Sequence, residues 1–260
     1  MSKTPLSNDT SLTTYSILCN GKEIPNSYQV SELRIEQKVN RIAEAEIEFY
    51  DGDPADQKFE ITDSDVFAPG VEVEIKLGYE SKNDLVFKGV VAKQTLKVND
   101  QGSFLVVSCR DKAQKMTLIK KSAIYTKVKD SEVMSQVISD NGLVTSVTAT
   151  SEQKEEVVQY NCSDWDFVVA RAEANGMMVI TNNGKVEVAK PEVSADPSLA
   201  LTFGYDIIDF DSEMDATYQY SDIKSSAWDV STQAIVEGSS NEPSVNGQGN
   251  ISGSKLSDVF

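Results

Sequence analysis

Histidine is absent from all 260 residues. With it go the Ser-His-Asp and Cys-His nucleophile systems, His-liganded zinc, and the side chain most often used as a general base near neutral pH. Cysteine is scarce: Cys19, Cys109 and Cys162 are an odd number, far apart, with no C-x-x-C pair. No zinc ribbon or redox motif runs through them. Their neighbours (Tyr15-Ser-Ile-Leu-Cys19, Phe104-Leu-Val-Val-Ser-Cys109) are apolar and strand-like. At least two therefore read as reduced core thiols, which fits synthesis in a reducing cytoplasm.

Long apolar runs are missing too. No stretch approaches the roughly 20 apolar residues that cross a bilayer, so no direct membrane anchor is expected. Met1 to Thr14 are polar and include Pro5, without the apolar segment of a signal peptide. If the protein acts outside the cell, something other than a cleaved leader takes it there. Positive charge is short: 24 Lys and Arg stand against 41 Asp and Glu, a net −17. Phosphate binding works by Lys and Arg displacing counterions, so nucleic acid is not an expected partner. The acid excess serves solubility, or forms an acidic wall facing a lumen or a basic partner.

Chemical signatures are equally thin. Neither G-x-G-x-x-G nor G-x-x-x-x-G-K-[ST] occurs, and there is no G-x-S-x-G elbow. Among 41 carboxylates, pairs such as Asp164/Asp166 or Asp209/Asp211 mark nothing by themselves. Asp164 and Asp166 read as helix-start acids favoured by the helix dipole. Asp209, Asp211, Glu213 and Asp215 could bind calcium in principle. At i, i+2, i+4, i+6 on a strand they form an outward solvated face instead, without an EF-hand glycine turn. Trp165 reads as core, and so does Trp228 at the end of a strand. No catalytic, cofactor-binding or metal residue is assigned, and the chain reads as non-catalytic.

What is present is patterning. Apolar residues make up 40%, enough for a real core, and the length allows about two domains. From 12 to 112 the sequence reads as strands. Tyr15–Cys19 runs into Asn20-Gly21. Leu33, Ile35 and Val39 alternate with Arg34, Glu36 and Lys38. Ala43, Ala45, Ile47 and Phe49 alternate with Glu44, Glu46 and Glu48. Further strands follow over 71–79, 85–98 and 104–110, the last two joined at Asn99-Asp-Gln-Gly102. From 113 to 198 an α+β unit is expected. One helix opens with Asp130 as N-cap and stops at Asn141-Gly142. A second opens at Ser163 and stops at Asn175-Gly176, followed by a hairpin about Asn182-Asn-Gly184. From 199 strands resume at 207–214 and 216–228, repeating the layout of 30–51 with a terminal acid in each (Asp51, Asp229). Residues 237–254 read as a flexible Gly/Ser-rich loop.

The expected fold is thus mainly β with an α+β insert. It has a polar tail (1–11), a first small antiparallel β-barrel (12–112), the insert (113–198) and the start of a second barrel (199–260). Two long strands are too few to close that second barrel, so it is incomplete in this chain: a fragment, or a sheet completed by another chain.

The stretch Asn161-Cys-Ser-Asp-Trp-Asp-Phe-Val-Val-Ala-Arg-Ala-Glu-Ala-Asn-Gly176 resembles a segment of the VgrG-like spike proteins and their phage relatives, the late-control and tail-hub proteins of contractile injection systems. Ser163, Asp164, Trp165, Phe167, Ala172, Glu173 and Gly176 carry the match, and they look structural. The hairpin 177–189 and the order barrel, insert, barrel also fit. The resemblance implies a homotrimeric hub whose two barrels per chain imitate a ring of six and dock on a hexameric inner tube. It implies baseplate proteins as partners, and a spike-tip protein reached through a region not present here. The particle would assemble in the cytoplasm and be delivered outside. On this reading Arg34, Glu36, Lys38, Glu44, Glu46, Glu48, Asp209, Asp211, Glu213 and Asp215 line a lumen or meet neighbouring subunits. Which kind of injection machine is involved stays open. Two other readings are a β-rich glycan-binding or adhesive module and a hydrolase using a carboxylate pair.

Overall fold

The protein is described here by a computed structural model covering residues 13–79, 82–192, 195–197, 199–207, 209–241 and 250–259. The polar tail 1–11 lies outside the described residues. Residues 11–191 make one compact unit and 192–260 belong to another.

Alternation builds the first part. Strands β1 (Thr13–Cys19), β2 (Lys22–Glu23), β3 (Val30–Glu36), β4 (Glu44–Tyr50), β5 (Glu72–Tyr79), β6 (Lys82–Asn99) and β7 (Gly102–Arg110) form one antiparallel sheet in the order β2-β1-β5-β6-β7-β4-β3. Leu33 sits opposite Ile47 and Ile35 opposite Ala45, so the apolar half of each strand shares one face. That face closes over Ile17, Ile47, Phe49, Ile75, Phe87 and Leu105, all buried. Each such side chain contributes roughly 1.5–3 kcal/mol through burial. The sheet wraps around this core through β6, whose first half (82–90) pairs with β5 and second half (90–99) with β7. Gly89 lies at the changeover, and a Cβ there would run into the Arg110 carbonyl. Val39, expected on the inner face, is instead 52% exposed, because β3 ends at Glu36 and the chain turns.

The next part is α+β. A 3-10 turn (Lys112–Thr117) leads to β8 (Lys120–Lys129), α1 (Asp130–Asp140), β9 (Val144–Val147), β10 (Gln153–Ser163), α2 (Asp164–Ala174), β11 (Met178–Asn182) and β12 (Lys185–Ala189). β8 and β10 form a two-stranded ribbon, and β11-β12-β9 a small sheet in which β12 and β9 run parallel. Val133, Met134, Val137 and Ile138 of α1 meet Phe167, Val168 and Ala172 of α2 in a second core. Asn183 and Gly184 take positive φ of 55° and 83°, as a two-residue hairpin turn demands. Asp130 is not the N-cap: Lys129 is, and Asp130 is the buried first residue of the helix. The two parts are bonded directly. Asp111 caps the 3-10 turn through Ala113 N at 2.8 Å and accepts Gly184 N at 2.9 Å.

The unit from 192 departs most from expectation. Its described regular elements are a hairpin, β13 (Asp222–Asp229) and β14 (Ala234–Asn241), and a short helix, α3 (Gly253–Ser257). Residues 209–216 have alternation but no strand, because alternation selects a face and only a neighbouring ladder makes a strand. The layout of 30–51 therefore does not recur at 207–228. The expected flexible loop 237–254 is corrected as well: 237–241 lie in β14 and 253–254 in α3, while 242–249 lie outside the described residues.

Candidate assembly surface

The outer face of β3, β4, β7 and the far half of β6 is a lattice of charge. Successive cross-strand rows run Glu36–Glu44–Arg110, Arg34–Glu46–Ser108–Lys93 and Glu32–Glu48–Val106–Thr95. Lys38 and Arg34 both pair with Glu36, the latter at 3.3 Å. Glu44 pairs with Arg110, and Glu48 with Lys97 at 3.7 Å. The hydrogen bond and charge of Lys38 hold the Glu36 carboxyl below its ordinary range. Such exposed pairs each contribute little to stability. Their value lies in register and partner choice, because this face interleaves both signs although the chain as a whole is strongly acidic.

At one end of that face the charged strands meet α2. A cleft of about 740 Å³ is lined by Glu36, Lys38, Arg41, Glu44 and Arg110 on one side, and by Trp165, Asp166, Val169 and Glu173 on the other. Two sets of residues picked out separately in the sequence are thus neighbours. The motif residues explain the geometry. Ser163 Oγ accepts Asp166 N at 3.1 Å and starts α2. Trp165 and Phe167 are buried, and Phe167 stacks on Tyr125 at 5.9 Å. Glu173 accepts Asn40 Nδ2 at 3.2 Å, while Asn40 exchanges two 2.8 Å hydrogen bonds with Val179. The β3–β4 connection is thereby pinned to the second core. Gly176, at φ 64°, lets the chain leave the helix.

Asp209, Asp211, Glu213 and Asp215 are exposed in the 192–260 unit, without the strand expected for them. The Thr217 hydroxyl holds Asp215 below its ordinary value. Among the described residues no three His, Cys, Asp or Glu side chains gather as a metal ion would need.

A family model described as the Alg8 N-terminal domain matches residues 9–260. The chain belongs to the Alg8 N-terminal domain family. No curated protein sequence matches it. In structure it is similar to the 43 kDa tail protein of prophage MuSo2 from Shewanella oneidensis: TM-score 0.65, 11% identity, covering 89% of this chain and 69% of that one. A tail protein from Neisseria meningitidis MC58 gives 0.61 at 13% identity, over 90% and 68%. The E. coli c3393 protein, a type VI secretion component structurally similar to the T4 tail proteins gp27 and gp5, gives 0.53 at 14%, over 83% and 56%. At such identities the likeness is one of fold. The mainly β fold with its α+β insert is the fold that the chain shares with these tail proteins and the type VI component.

Within this family member, two buried acids do more than the sequence signals. Asp130 takes Arg171 in a two-pronged pair at 2.7 and 2.8 Å, with Lys154 at 3.2 Å and Asn175 at 3.0 Å. Burial pushes its carboxyl up, but these bonds outweigh it and bring it down to about 2. Asp164 is likewise raised by burial and lowered overall by Gln159, Asn141 and Lys121. Spacing along one helix cannot reveal such pairs, because the partners come from other elements. Trp228 is 61% exposed, correcting its assignment to a core. No helix among the described residues is long and apolar enough to cross a membrane.

Proposed function

We propose that this chain is the non-catalytic hub part of the trimeric spike of a contractile injection machine, adapting a three-fold spike to a six-fold inner tube. The likeness of 89% of the chain to the MuSo2 tail protein supports it most. Open sheet edges support it further: among the described residues β3 and β8 each pair on one side only, and edges of this kind are paired or blocked in stable proteins. In this reading each chain offers one barrel-like unit and a hairpin, β13–β14, whose sheet is completed by strands of neighbouring subunits. The interleaved charges of Arg34, Glu36, Lys38, Glu44, Glu46 and Glu48 then set the register between copies, and Asp209 to Asp215 meet another subunit. Tube and baseplate proteins are the further partners, and the spike tip is reached through other residues. The site of action is the assembled particle.

The test is the mass of the purified full chain, alone and with the inner-tube protein. A trimer that binds tube rings is expected, and a stable monomer with no affinity for them would overturn the proposal. A second reading, glycan binding, is favoured by the exposed Trp228, Tyr218 and Tyr220. It predicts that a monomer is captured on a glycan array, with Trp228→Ala abolishing capture.

A further inference from the structure

Residues 209–216, Asp-Phe-Asp-Ser-Glu-Met-Asp-Ala, have the period of a strand but join no ladder among the described residues. Four acids alternate with Phe210 and Met214, which are 70% and 53% exposed. A segment of this kind lacks only a neighbouring ladder, and its charge restricts which ladder suits it. The open-edged strands differ sharply in that respect. β3 carries Glu32, Arg34 and Glu36, and β10 carries Lys154, Glu155 and Glu156, each a net −1. β8 carries Lys120, Lys121, Lys127 and Lys129 and no acid.

β8 is also prepared for a partner in other ways. Ile124 faces Val158 directly across the ribbon, and they are 65% and 54% exposed, with Tyr160 beside them at 80%. An apolar strip in solvent on a two-stranded ribbon is a surface awaiting cover. Lys121 is engaged by Asp164 at 3.0 Å, while Lys120 and Lys127 stand exposed. Lysines along an edge reject a second β8 and accept an acidic strand, so they choose the partner as well as attract it.

We infer that residues 209–216 of one copy become a strand by adding to the free edge of β8 in a second copy, acids against lysines. The inference rests on the self-assembly proposed above and names its interface. The test mixes nitrogen-14 and nitrogen-15 full chains and couples amines to adjacent carboxylates with a carbodiimide. Peptides joining Lys120 or Lys127 to 209–215 across the two isotopes are expected. A trimer lacking such peptides, or holding them only within one isotope, overturns the inference and leaves the hub reading standing. A monomer by mass defeats that reading and the inference with it. Lys120→Glu with Lys127→Glu, which also removes the coupling amines, is read by mass instead and is expected to cut the trimer fraction about tenfold. Adding Asp209→Lys and Glu213→Lys restores it, and failure to restore in a folded variant counts as overturning.

Discussion

Burial controls what single residues can do in this chain. The Cys109 thiol is pushed up to about 12 and Cys19 to about 11 by desolvation, so neither presents the reactive thiolate at neutral pH. Cys162 is only half-buried. In the native chain an alkylating reagent should label Cys162 first and leave the other two until denaturant is added, which peptide mass mapping can follow. Asp130 carries the opposite lesson. Its carboxyl sits near 2 against an ordinary 3.8, so the folded state holds the charged form more tightly than the unfolded one. The stabilisation, about 2 kcal/mol, is present above pH 4 and is lost as pH falls through 2. Asp130→Asn should lower stability by roughly that amount at pH 7. The loss should shrink toward zero in urea titrations repeated at falling pH.

Whole elements were legible where local chemistry alone decides them. Ser163, Gly176 and the pair Asn183-Gly184 mark a cap, an exit and a turn, because each is a backbone geometry that few residues satisfy. Ser163→Ala should cost about 1 kcal/mol in thermal unfolding through loss of the bond to Asp166 N. The β3–β4 pair followed from alternation because both strands share a core. Elements were illegible where long-range partners decide. Strand β8 has period-two exposure at Ser122, Ile124 and Thr126, yet its lysines mask the pattern. The parallel pairing of β9 with β12 joins residues about 40 apart with no turn to announce it. Residues 209–216 fail the other way, since the pattern is present and the ladder is not. The charged face and the motif helix were both visible in sequence, but not their meeting in one cleft, which depends on Asn40 holding the connection.

On the scale of the whole molecule, burial and charge are divided unequally. Both apolar cores lie within 11–191. No described residue of 192–260 is buried, yet that unit displays Phe203, Tyr205, Phe210, Tyr218 and Trp228 to solvent. It also holds twelve of the acids and only two lysines, −10 of the net −17. A segment that buries so little cannot offset the entropy of ordering its chain, and its own charges oppose compaction. Under the proposed self-assembly, the free energy that orders it comes from surface covered between copies. Amide hydrogen exchange makes this measurable. In an isolated chain kept dilute, amides of β4, β7 and α2 should be protected near the global stability, and those of 209–216 and 222–241 should exchange within seconds. On assembly the second group should slow by orders of magnitude while the first changes little. Strong protection of 209–216 in the dilute chain would mean that it already has its ladder, and assembly would then not be what folds it.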